Sequence, residues 1–156
     1  VVEAYQTELV AEYLLAKYKE AYFPAFPYDS TTTEYPNVVE DIDSYVSTPA
    51  GKTVVKIGVC GAANEYLNAV QKVLDDRGDN IYIQRVEFDA YNLPNEALNN
   101  GDIDLNAFQH KAYLNKEIAQ CDYKIEAIGD TLIAPLSLYS KKAKSVDELK
   151  ELAGKN

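Results

Sequence analysis

Methionine and tryptophan are absent from the 156 residues, histidine occurs once, and cysteine and arginine occur twice each. Two arginines and a formal net charge of -10 exclude a nucleic-acid binder, because phosphate recognition needs a clustered Lys/Arg stripe. Cys60 and Cys121 fit neither a disulfide-dense scaffold nor a zinc site with paired ligand spacing, so no metal is expected. No full dinucleotide fingerprint and no P-loop lysine are present, and no cofactor is expected. No apolar run approaches the ~20 residues that span a bilayer, and no basic-then-apolar leader opens the chain. The first residue is Val1 rather than Met, which leaves room for a leader, an anchor or further polypeptide ahead of it.

What is present is 47% hydrophobic residues with 13 tyrosines, enough for one globular domain. A chain of this length buries roughly 70% of the surface of its unfolded form and needs no staple to fold. Residues 1–50 hold nine acidic side chains, two basic ones and seven of the tyrosines, whereas residues 51–156 hold sixteen acidic and thirteen basic ones. Composition therefore shifts near residue 50.

Leu9, Val10, Tyr13, Leu14, Tyr18 and Ala21 recur at spacings of three and four, which predicts one amphipathic helix from Val1 to Tyr22, stopped by Pro24. Its acidic face reads as solvated surface. From Pro27 to Pro49 three prolines and a Thr triplet predict a surface linker with at most a turn of helix around Val38 to Tyr45. Beyond it strands alternate with helices. Strands are expected at Thr53–Val59, Ile81–Phe88, Asp102–Phe108, Tyr123–Ile128 and Thr131–Tyr139. Helices are expected at Glu65–Arg77, ended by Gly78, at Pro94–Asn100, ended by Gly101, and at His110–Gln120. Ser145 with Glu148 forms a capping box for a last helix running to Ala153. The fold class is α/β, a mainly parallel sheet flanked by helices.

Open parallel sheets bind ligands outside the carboxyl ends of their strands. Those ends nominate Cys60 to Asn64, Asp89 to Asn92 and Phe108 to His110, with Tyr113 one turn further on. Tyr91, Phe108, His110 and Tyr113 would bring three aromatic rings and an imidazole to one edge, suited to an apolar or thioether-bearing ligand. The same residues also read as core aromatics and a hydrogen-bonded structural histidine. Gly61 to Asn64 resembles an anion loop only faintly. A Cys60 and His110 thiol pair is geometrically conceivable but lacks an orienting group, and Cys60 reads better as a small buried residue, so no catalytic residue is assigned.

Three stretches carry a more specific signal: KIGV at Lys56 to Val59, VEFDAYNLPNEALNNGDIDLNAFQHKAYL at Val86 to Leu114, and YSKKAKSVDELKELA at Tyr139 to Ala153. They resemble the NLPA lipoprotein family, the methionine-binding substrate-binding proteins of ABC importers. LNAFQHKAYL matches most closely, with Ala112 where the family often has Pro. The resemblance implies one lobe of a type II periplasmic-binding-protein-like clamp, in which Tyr91, Phe108, His110 and Tyr113 surround the methionine side chain. VEAYQTELVAEYLLAKYKEAYFPAF at Val2 to Phe26 is similar to the ending of family members, yet here it comes first. The expected organisation is therefore a permuted lobe: residues 1–26 as its closing helix, 27–50 as linker, 51–156 as the βαβ body.

By the same resemblance the chain is a solute-binding module, not an enzyme, that hands methionine or a similar amino acid to an ABC permease. It would sit outside the cytoplasm at the cell surface or in the periplasm as a lipoprotein, with its anchor beyond this chain. The family's second lobe and its head-group Arg and Asn residues are missing. Arg77 lies near a helix end and Arg85 inside a strand, neither expected at the ligand edge. The alternative is an isolated protein-interaction module, with self-association through the exposed cleft face.

Overall fold

Thr7 interrupts the opening amphipathic stretch. In the computed structural model, which describes residues 1–31, 34–136 and 140–152, helix α1 covers Val2–Tyr5 and α2 covers Glu8–Tyr18. The single helix expected up to Tyr22 is thus two helices followed by a 3-10 turn at Lys19–Ala21. Thr7 has extended backbone, and its hydroxyl donates to the Ala4 carbonyl at 3.0 Å, a local bond that competes with the helix ladder. Lys19, at φ 51°, ends the helical path before Pro24 is reached. Pro24 instead belongs to the two-residue strand β1, Phe23–Pro24.

The segment expected as a surface linker is tied down. Helix α3, Val38–Asp43, buries Val38 and Ile42 in the main core. The supposedly solvated acids of α2 do the fastening: Glu8 accepts the Asp29 amide at 3.0 Å, and Glu12 accepts those of Glu34 and Tyr35 at 3.1 and 3.2 Å. Tyr13, fully buried, donates its hydroxyl to Asp43 at 2.7 Å. A linker whose amides are satisfied by side chains loses the freedom that its composition suggests.

Strand β2, Thr53–Cys60, is the centre of a three-stranded parallel sheet ordered β3-β2-β4, with β3 at Ile81–Phe88 and β4 at Leu105–Asn106. Helix α4, Tyr66–Asp76, crosses from β2 to β3, and α5, Leu93–Asn100, from β3 to β4. Because successive β2 residues face opposite ways, Ile57 and Val59 enter the core beneath α4 while Gly58 faces the other layer. A Cβ on Gly58 would lie 2.6 Å from Ile103 Cδ1 and 3.1 Å from Phe88, so the close approach there requires glycine. The α4 layer is the thicker one. Its outer side is covered by α1 and α2, with Tyr66 edge-on to Tyr5 at 5.7 Å and to Tyr18 at 6.5 Å. This packing accounts for the tyrosine-rich opening of the chain.

Three expected strands shrink or vanish. Asp102–Phe108 is reduced to Leu105–Asn106, since Asp102 and Asp104 turn their carbonyl and carboxylate to Lys56. Tyr123–Ile128 is no strand; after α6, Lys111–Cys121, the Lys124 amide bonds Asn99 Oδ1 instead of a neighbouring ladder. Alternating polarity alone does not make a strand without a partner edge. Within Thr131–Tyr139 only Leu132–Ile133 pairs, as β5 antiparallel to β1, and residues 137–139 lie outside the described set. Helix α7, Val146–Leu152, opens on the expected cap: the Glu148 amide donates to Ser145 Oγ at 3.1 Å, and Glu148 accepts the Lys144 amide at 2.7 Å. Ala153, its expected end, is also outside the described set. Among the described residues no helix is long and apolar enough to cross a membrane.

Asp75 joins α4 to the segment before β2. Its carboxylate accepts from Tyr45 and Ser47 at 2.6 Å each, from Lys52 at 2.6 Å and from Gln71 at 2.9 Å. Burial alone would raise its pKa, but these bonds outweigh it and hold the group at about 2 against an ordinary 3.8. A depressed carboxylate contributes stability above its unfolded pKa and loses it as pH falls through the folded value. Wild-type stability should therefore decline between pH 4 and 2. Asp75→Asn should be less stable at pH 7 and show a flatter decline over that window in urea titrations; equal slopes would exclude this role.

Candidate ligand-binding site

The order β3-β2-β4 means that the chain leaves β2 in one direction through α4 and returns past it through α5. Such a reversal opens a crevice at the carboxyl ends of the strands, where loops diverge to opposite faces. Those ends are Cys60, Phe88 and Asn106. The loops that follow supply the side chains of the rim.

All four residues singled out from the sequence meet there. The Tyr91 ring stacks on Phe108 with centroids 6.0 Å apart and planes at 28°. Phe108 and His110 each meet Tyr113 edge-on, both at 6.3 Å. The Tyr113 hydroxyl donates to the Tyr91 carbonyl at 3.2 Å, tying the loop after β3 to α6. His110 is the N-cap of α6: its Nδ1 accepts the Tyr113 amide at 3.0 Å, which leaves Nε2 for other work. Phe108 and Tyr113 are half-buried, and Tyr91 is 64% exposed, so none of these rings is a core residue. An open shelf of rings offers dispersion contact and ring faces to an apolar or sulfur-containing chain.

An amide network that sequence reasoning missed holds this shelf. Asn95, fully buried in α5, donates from Nδ2 to Gln109 Oε1 at 2.9 Å, and its Oδ1 accepts from Gln109 at 2.6 Å and from Asn106 at 3.0 Å. Gln109 lies between Phe108 and His110, so its reciprocal pair with Asn95 fixes the loop that carries both rings. The signal available in the sequence was a Pro-Asn pair at the start of α5, where a buried apolar residue would be the default.

The remaining candidates fall away from the rim chemistry. Asn64 is buried and closes its own loop, donating to the Gly61 carbonyl at 2.6 Å, and Arg85 reaches the Asn64 carbonyl at 3.4 Å. Arg85 thus touches the loop beyond β2, nearer the ligand edge than its place in a strand suggested. No hydrogen bond joins Cys60 to His110; the Cys60 thiol lies 3.9 Å from the Ala90 carbonyl, and burial pushes its pKa up, away from a reactive thiolate. Among the described residues no cluster of His, Cys, Asp and Glu could hold a metal ion.

A model of the NlpA lipoprotein family matches residues 55–154. The D-methionine-binding lipoprotein MetQ of Escherichia coli K12 is 46% identical over 98 residues, covering 62% of this chain and 36% of its own length. Outer membrane lipoprotein 3 of Mannheimia haemolytica is 41% identical over 98 residues, 62% of this chain and 37% of that protein. The structure of a nutrient-binding protein from Burkholderia cenocepacia bound to methionine superposes with a TM-score of 0.51 at 35% identity, covering 60% of this chain and 39% of that one. The chain therefore spans little more than a third of the length of these relatives. Its architecture is the expected α/β lobe of periplasmic-binding-protein type, a parallel sheet flanked by helices.

Removing the buried Asn95 amide leaves its two half-buried partners, Asn106 and Gln109, without it. Asn95→Ala should lower unfolding free energy by about 1–3 kcal/mol and change the near-ultraviolet dichroism of the rim tyrosines. An unchanged urea midpoint together with an unchanged spectrum would exclude the network as the support of the shelf.

Proposed function

Since the chain belongs to the NlpA lipoprotein family, we propose that it is the first-lobe half of a solute-binding clamp for methionine or a similar amino acid. The Tyr91, Phe108, His110 and Tyr113 shelf would receive the ligand's side chain, and an opposing lobe the charged head group. The observation that supports this most is the convergence of these four rings at the carboxyl edge of a parallel sheet. Two of the relatives are described as binding methionine. The work is binding, not catalysis: closure of two lobes around ligand, and delivery to an ABC permease. The family points to an extracytoplasmic lipoprotein.

The order of segments belongs to the same proposal. Residues 1–26 act as the lobe's closing helix, 27–50 as a pinned connection and 51–156 as the βαβ body, a permuted arrangement. Its support is the packing of α1 and α2 on α4, together with the pairing of β1 with β5. Connecting natural ends in a new order is tolerated where those ends lie at the surface.

A lone lobe binds weakly. An amino-acid carboxylate is best held by a bidentate Arg, and losing ~4 kcal/mol of head-group contact lowers affinity by a factor of ~10³. Titration of the 15N-labelled chain with L- and D-methionine should give fast-exchange shifts at Tyr91, Phe108, His110 and Tyr113, lost in Phe108→Ala, and no saturation at micromolar ligand. Sub-micromolar affinity by calorimetry would contradict the half-clamp. Absence of any shift at these four residues would favour an interaction module, the reading to which the exposed Tyr91 and Leu93 lend themselves.

A further inference from the structure

Strand β3 is an edge, and its outward backbone groups follow from the register. The Thr53 amide donates to the Asn80 carbonyl, so alternate residues from Asn80 to Phe88 turn their backbone toward β2, while Ile81, Ile83, Arg85 and Glu87 turn theirs outward. The first part of that edge is closed by a side chain. Gln71 donates to the Ile81 carbonyl at 3.0 Å and accepts the Ile83 amide at 2.7 Å, standing in for a neighbouring strand. Beyond it no such cap exists among the described residues: the outward amides of Arg85 and Glu87 face a groove of about 480 Å³ walled by Tyr45, Val46, Leu67 and Gln71. Val46 on that wall is 87% exposed.

We infer that this edge pairs with the same edge of a second copy of the chain, antiparallel about a two-fold axis at Val86. The charges decide the register. With Val86 opposite its own copy, each Arg85 stands across from a partner-copy Glu87, and both positions are of the outward-facing kind that exchange backbone hydrogen bonds. Four N–H to carbonyl bonds and two Arg–Glu pairs then form at once, with side chains on the same face. Among the described residues neither Arg85 nor Glu87 takes part in an ion pair, and both are exposed; the long 3.4 Å bond from Arg85 to the Asn64 carbonyl is the one contact its guanidinium would exchange for the partner-copy Glu87. An edge guarded by charges of one sign would repel its copy; opposite signs two residues apart make this one self-complementary. The remaining free edge is short, so the dimer is weak, and physiological salt is needed to screen the net charge of -10 on each copy.

Sedimentation equilibrium over a wide concentration range tests it with charge swaps. Wild type should show reversible dimerisation. Arg85→Glu alone and Glu87→Arg alone should each weaken it by at least about tenfold, because like charges then face each other. An equimolar mixture of the two variants should associate again, as heterodimers, and the doubly swapped chain should dimerise like wild type. A second reading needs no variant: exchange of the Arg85 and Glu87 amide protons should slow as wild-type concentration rises, while that of Ile83, already bonded to Gln71, should not. A wild-type chain that stays monomeric, single swaps that do not weaken association, or a mixture that fails to restore it would overturn the inference.

Discussion

Helix α4 has to be covered on two sides, because seven of its eleven residues are buried and they do not lie on one narrow stripe. The sheet takes Leu67, Val70 and Leu74 into a core with Ile57, Val59 and Ile83, and the opening helices take the opposite side through Tyr5 and Tyr18, which meet Tyr66 edge-on. Burying an aromatic ring of this size contributes roughly 1.5–3 kcal/mol, so a cluster of them outweighs the entropy of recruiting a distant part of the chain. Everything at the carboxyl edge depends on this sandwich, since α4 sets where β3 lies and hence where the loop bearing Tyr91 emerges.

Polar bonds then refine what apolar burial begins. Glu8 and Glu12 hold the amides of the segment between α2 and α3, Asp75 gathers four donors where that segment meets β2, and Gln71 closes part of the β3 edge. The Asn95, Asn106 and Gln109 amides do the same on the thinner layer, where few large apolar side chains are available. A buried amide that finds all its partners specifies one geometry, because any displacement leaves a donor or acceptor unpaired in a medium that cannot replace water. That requirement orders the loop carrying Phe108 and His110, although neither ring is deeply buried.

The long parallel strands were legible because their signal is local. Ile81–Phe88 coincides with the expected strand, and Thr53–Cys60 exceeds it by one residue. Helices ended by Gly78 and Gly101 were legible for the same reason, both glycines having positive φ. What failed depended on partners. Tyr123 to Ile128 alternates like a strand but meets a helix side chain, and Val38 and Ile42 sit among prolines and acids that disguise a core contact. The grouping of Tyr91, Phe108, His110 and Tyr113 was foreseeable, since a rule about strand ends converts sequence order into spatial neighbourhood.

Residue identity and short-range pattern were enough to establish an α/β chain, its two principal strands, the caps of its helices and the family to which the chain belongs, because each is encoded within a few neighbouring residues. The break at Thr7, the fastening of residues 27–50, the amide network beneath the rim and the half-capped edge of β3 came from folding alone. The last three join residues distant along the chain, and whether a polar group there is solvated or bonded is settled by what packing brings within about 3 Å of it.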